Sequence, residues 1–114
     1  MSVVLSAIAA LVALLPKLTY IGECDITGYD PWCSHCCGKE VADAVTASGK
    51  VAEVDHTVAM CSDYPFGTRI YIEGMGQYVV EDRGVGKGKV DVACESHAEC
   101  YKVTSRRAVY VIDD

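Results

Sequence analysis

The chain has 114 residues, enough for one domain with a modest core. Hydrophobic residues make up 51% of it, and 16 acidic against 10 basic residues leave a net charge of −6. Its basic residues concentrate only at Lys87/Lys89 and Arg106/Arg107, which argues against nucleic acid, whose binding is dominated by phosphate neutralisation, and leaves neutral polymers such as glycans open.

Ser2–Leu15 is an almost unbroken apolar run closed by Pro16 and Lys17. It is shorter than the roughly 20 residues of a membrane span and has the length of a signal-peptide core. No Lys or Arg precedes it, and no small-x-small cleavage site follows it. Residues 1–17 are therefore expected to be an export signal or an uncleaved anchor making membrane contact through residues 3–15. The alternative is an apolar helix packed on the domain, or a remnant. Residues 18–114 form the domain itself.

Leu18–Tyr29, rich in Thr, Tyr and Ile, predicts the first strand, and Asp30-Pro31 ends it. Pro31–Gly38 is a turn-rich loop carrying Cys33, Cys36 and Cys37, three of seven cysteines. That density points to disulfides in an oxidising compartment, and the odd number leaves at least one thiol unpaired in a monomer. Cys33 and Cys36 also have CxxC spacing around His35, so a metal site at Cys33, Cys36 and Cys37 and redox chemistry stay open beside structural disulfides. No cofactor is called for.

Lys39–Ala47 is expected to make a helical turn or two, and Thr46-Ala-Ser-Gly49 a polar turn. Strands follow at Thr57–Met60 and Thr68–Glu73, with Gly74-Met-Gly76 as a hairpin turn. Two further β-branched strands, Gln77–Asp82 and Lys89–Cys94, flank a connection holding Gly84, Gly86 and Gly88. Ser96–Val103 predicts a short helix with Ser96 as N-cap and Glu99 in its first turn. Arg107–Ile112 is the last strand. Six short strands, one short helix and Gly-rich turns suggest a small closed barrel.

The Gly76–Cys94 stretch carries the sharpest chemical signal. If its two strands pair as a hairpin centred between Gly86 and Lys87, Asp82 and Asp91 stand opposite one another, roughly 4.5–5.5 Å apart at Cβ. Two carboxyls so placed cannot both ionise freely, and the one that keeps its proton is a general acid. Two solvated turn carboxylates are the plain alternative.

From about Ile26 to Ile112 the chain resembles the bacterial and phage three-aspartate (3D) domain, a compact module of lytic transglycosylases and cell-wall hydrolases. The resemblance rests on Cys33-Ser-His-Cys-Cys-Gly38, Thr46-Ala-Ser-Gly49 and Pro65-Phe-Gly-Thr-Arg-Ile-Tyr-Ile-Glu-Gly74. It continues through Glu81-Asp-Arg-Gly84, Lys87-Gly-Lys-Val-Asp91, a helix and an Arg-x-Val-x-Val strand. It implies a mostly β fold, a six-stranded double-psi β-barrel shared with membrane-bound lytic transglycosylase A and expansins. An N-terminal apolar helix would precede it. It also implies secretion or residence in the cell envelope, and a monomer that acts on peptidoglycan glycan strands.

In that family three aspartates line one groove. Asp82 and Asp91 match the second and third, and Asp91 takes the position of the catalytic acid/base. Cys61 stands in the slot of the first, and Asp63, two residues on, is the candidate to replace it. The implied reaction is cleavage between N-acetylmuramic acid and N-acetylglucosamine with a 1,6-anhydro product. Thr46, Ser48 and Tyr78 are candidates for hydrogen bonding or stacking with sugar, and Lys87 for meeting peptide-stem carboxylates. The rival expectations are a non-catalytic, expansin-like glycan-binding barrel and a structural phage or envelope component.

Overall fold

The computed structural model describes residues 15–33, 35 and 43–113. Six strands and one helix follow in the order β1 (Lys17–Tyr29), β2 (Thr57–Ala59), β3 (Arg69–Ile72), β4 (Gly76–Asp82), β5 (Lys89–Ala93), α1 (His97–Val103) and β6 (Ser105–Asp113). The strands close into a barrel in the order β1-β5-β2-β4-β3-β6. β1·β5 and β2·β4 are parallel, and every other neighbouring pair is antiparallel. Exchanging the first three strands with the last three carries this order, parallel pairs included, onto itself. Among the described residues the fold is thus mostly β, a closed six-stranded barrel with the short helix α1. The N-terminal apolar segment and the helix expected there lie outside the described residues, apart from Leu15.

Strand alternation fills the barrel. Ile26, Val58, Ile70, Ile72, Val80, Val90, Val92 and Val109 are each at most 1% exposed and belong to one cluster. All eight are β-branched, which suits a pleated surface, and burying each contributes about 1.5–3 kcal/mol. Ser96 caps α1 as expected, its hydroxyl accepting from the Glu99 N–H.

Two expectations are corrected. β4 and β5 do not form a hairpin, because β2 lies between them, parallel to β4 and antiparallel to β5. Thr57, Val58 and Ala59 are all buried, as a short apolar strand packed on both faces requires. The Arg83–Gly88 connection therefore passes over to a non-adjacent strand, and it leaves β4 through Gly84 at φ 112, a conformation open mainly to glycine. The local symmetry of the two strands could not reveal a third strand arriving from earlier in the chain.

The described part of the helical turn expected at Lys39–Ala47 is also not helical. Asp43–Ala47 instead starts a small turn closed by a Val45↔Val51 bridge and by the Ala52 N–H donating to Ala44 O at 2.8 Å. The Thr46 hydroxyl donates to Lys50 O at 2.8 Å and the Asp43 carboxylate accepts from the Val45 N–H at 3.0 Å. Such side-chain bonds to backbone compete with helix formation.

Candidate functional site

The barrel wall presents one lateral row of four residues: Thr27 on β1, Asp91 on β5, Ala59 on β2 and Asp82 on β4. Asp91 alternates with the interior Val90 and Val92, so its side chain points outward. Thr27, next to Ile26, does the same. Plain alternation would turn Asp82 inward with Val80. A register shift between Val58↔Val80 and Ala59↔Asp82 breaks that alternation, as bulges beside sites commonly do.

The aspartates are therefore not directly opposed. With Ala59 between them their Cα atoms stand two strand spacings apart, roughly 9–10 Å. The small side chain of Ala59 forms the floor of the space they flank. A cleft of about 340 Å³ opens there, its walls including Tyr29, Thr46, Asp82, Arg83 and Asp91.

The two carboxyls have different surroundings. Asp82 is held by three donors: the Ala47 N–H (3.0 Å) and Arg83 N–H (2.9 Å) on Oδ1, and the Tyr29 hydroxyl (2.9 Å) on Oδ2. Tyr29 is itself buried, and burial, then the Asp82 charge, pushes its hydroxyl far above its ordinary range, so it stays a donor. Asp91 accepts one bond from the Thr27 hydroxyl at 2.9 Å. Burial raises the Asp91 carboxyl above its ordinary value, the Thr27 bond partly opposes this, and the Asp82 charge adds to it. Asp91 thus keeps its proton to higher pH than an ordinary carboxyl, whereas Asp82 accepts three hydrogen bonds. Desolvation, rather than mutual repulsion, is the larger cause.

The turn following Asp43 roofs the cleft. Ala52 packs with Tyr29 and Ala93 in a small cluster of its own. The Ser48 N–H donates to Glu81 O at 3.0 Å, beside the Ala47–Asp82 bond. Below it the buried Glu81 carboxylate accepts from the Thr57 hydroxyl at 2.7 Å, with Lys50 at 3.8 Å and His56 at 3.7 Å. At the rim, the Arg83 guanidinium lies 4.0 Å from the centre of the Phe66 ring and donates to Met60 O and Asp82 O. That arrangement fixes a cation at the rim of the cleft.

Of the residues singled out from the sequence, Asp91, Asp82 and Thr46 come together here, and Ser48 touches Thr46 through a 2.8 Å hydroxyl contact. Asp63 is not among the lining residues; it is exposed and pairs with Lys87 at 3.5 Å, which takes Lys87 with it. Tyr78 is 5% exposed within the barrel core, leaving no ring face for a sugar. Cys33 and His35 are described, whereas Cys36 and Cys37 are not, so a metal centre at that loop falls outside the described residues. Sequence reasoning missed Tyr29, Thr27, Ala59 and the Ala47 N–H. Tyr29 just before Asp30-Pro31 carried a faint signal, an aromatic at a strand exit; the others carried none. No protein-family model matches the chain, and no curated protein matches it.

Proposed function

We propose that the chain is a peptidoglycan-cleaving lytic transglycosylase of the 3D-domain type, acting in the bacterial or phage-exposed cell envelope. The supporting observation is the unequal pair of carboxyls: Asp91 with a raised pKa and Asp82 anchored by three donors, facing one cleft. The strand order and its internal exchange symmetry agree with the double-psi form of barrel that this reading requires.

In this reaction the Asp91 carboxyl gives its proton to the glycosidic oxygen as the bond to C1 of N-acetylmuramic acid breaks. The negative charge of Asp82 offsets the positive charge growing on the ring. The C6 hydroxyl of the same sugar then bonds to C1, and its proton returns to Asp91, so no water is consumed. An intramolecular nucleophile has a high effective concentration, which is why a single proton-transfer group suffices.

A second reading, a barrel that binds glycan without cutting it, is favoured by one observation. Asp63 lies outside the cleft, so among the described residues two carboxylates line it instead of three. Mass spectrometry of sacculi incubated with the protein separates the two. Soluble 1,6-anhydro-muropeptides support the transglycosylase, whereas retention on sacculi with no soluble product supports the binding module. Reducing hydrolysed ends would keep the acid but replace the C6 hydroxyl with water.

A further inference from the structure

Gly28 sits in β1 between Thr27 and Tyr29, the two residues that hold Asp91 and Asp82. Helix α1 lies directly against it. A Cβ added at Gly28 would stand 2.7 Å from Cys100 Cα and 2.8 Å from both Cys94 Sγ and Val103 Cγ2. One glycine-sized gap thus brings together Cys94, at the exit of β5, and Cys100, on α1. The two thiols are hydrogen-bonded to each other, and Cys94 Sγ also donates to Val92 O at 3.3 Å.

We infer that Cys94 and Cys100 are a disulfide site, which pins α1 to the barrel behind the cleft. The two thiols are already hydrogen-bonding partners across this gap, and bond formation brings their sulfurs to the roughly 2.05 Å of a disulfide. The partly exposed Cys100 reacts first: its thiolate attacks a small external disulfide RSSR and expels RS⁻. The resulting mixed disulfide is attacked at the Cys100 sulfur by the Cys94 thiolate, and the second RS⁻ leaves. In sum two protein thiols and RSSR give one protein disulfide and two RSH, the two thiol protons passing to the departing thiolates. Burial holds the Cys94 thiol up at about 12, so the resolving step is accelerated by raising the pH. The bond does not depend on what the cleft acts on.

The test equilibrates the full chain with oxidised and reduced glutathione, quenches with acid, and alkylates in denaturant. Digestion without reduction then precedes mass spectrometry. Cleavage at Lys89 and Lys102 leaves both cysteines in one peptide, expected two hydrogens lighter and unalkylated. Further cleavage after Glu95 or Glu99 should give two fragments that separate only on reduction. Cys100→Ser should restore alkylation at Cys94 and abolish the rise in melting temperature that the wild-type chain shows on oxidation. Recovery of both cysteines alkylated from the folded, oxidised wild-type chain would overturn the assignment. A cross-link from Cys94 to any other cysteine would do the same.

Discussion

At Asp91, the conflict between burial and charge has a measurable consequence. Its folded-state pKa is raised, chiefly by desolvation, so the folded chain holds this proton more tightly than the unfolded chain, whose reference is 3.8. The stabilisation is complete below that reference and is lost as pH rises through the folded value. Asp91→Asn removes the titration while leaving an oxygen to accept from Thr27. Its melting temperature should therefore exceed that of the wild type at neutral pH, and the two curves should converge in acid. Equal melting temperatures across that range would show that Asp91 titrates normally. Tyr29→Phe tests the partner carboxylate. Losing the hydroxyl bond to Asp82 should cost about 1.5–3 kcal/mol, the usual range for a bond to a charged group, measured by urea unfolding. A change under 0.5 kcal/mol would mean that Asp82 finds another donor.

The elements themselves were largely legible in the sequence. β-Branched runs between Gly, Asp and Pro mark β1 to β6 within a residue or two, and Ser96 marks the start of α1, because those signals act over a few neighbouring residues. The site was legible only in part. Asp82 and Asp91 stand out by motif, but Thr27 meets Asp91 across 64 positions and Tyr29 meets Asp82 across 53. Nothing local in the sequence encodes those distances. The insertion of β2 between β4 and β5 was hidden for the same reason, since two strands joined by glycines look like a hairpin from either side. Gly28 is where an element-scale change should be felt most. In Gly28→Ala the new methyl meets the Cys100 backbone, so α1 must shift, and stability should fall by about 1–3 kcal/mol. Faster amide exchange confined to α1 and the end of β1 should accompany it. Unchanged exchange there would mean that the helix is not held at this contact.

Over the whole molecule, the closed order joins two parallel pairs through the antiparallel β5·β2 contact, and the row Thr27–Asp91–Ala59–Asp82 crosses that junction. The candidate site is therefore spread over four strands brought together only when the barrel closes. Its geometry and the core should be lost together. Ile70→Ala, a fully buried side chain on β3, should cost about 2–5 kcal/mol and unfold the cleft in the same transition as the core. Total stabilities run at about 5–15 kcal/mol, so such a loss would be severe. Separate transitions for the Tyr29 environment and the core would contradict a single cooperative barrel. The central claim is that Asp91 supplies the proton that breaks the glycan strand. The measurement that meets it most directly is release of anhydro-muropeptides from sacculi by the wild-type chain and by Asp91→Asn, both shown to be folded by circular dichroism. Release by the variant should fall by about 100-fold or more, the usual contribution of a general acid. Undiminished release by a folded Asp91→Asn chain would contradict the account.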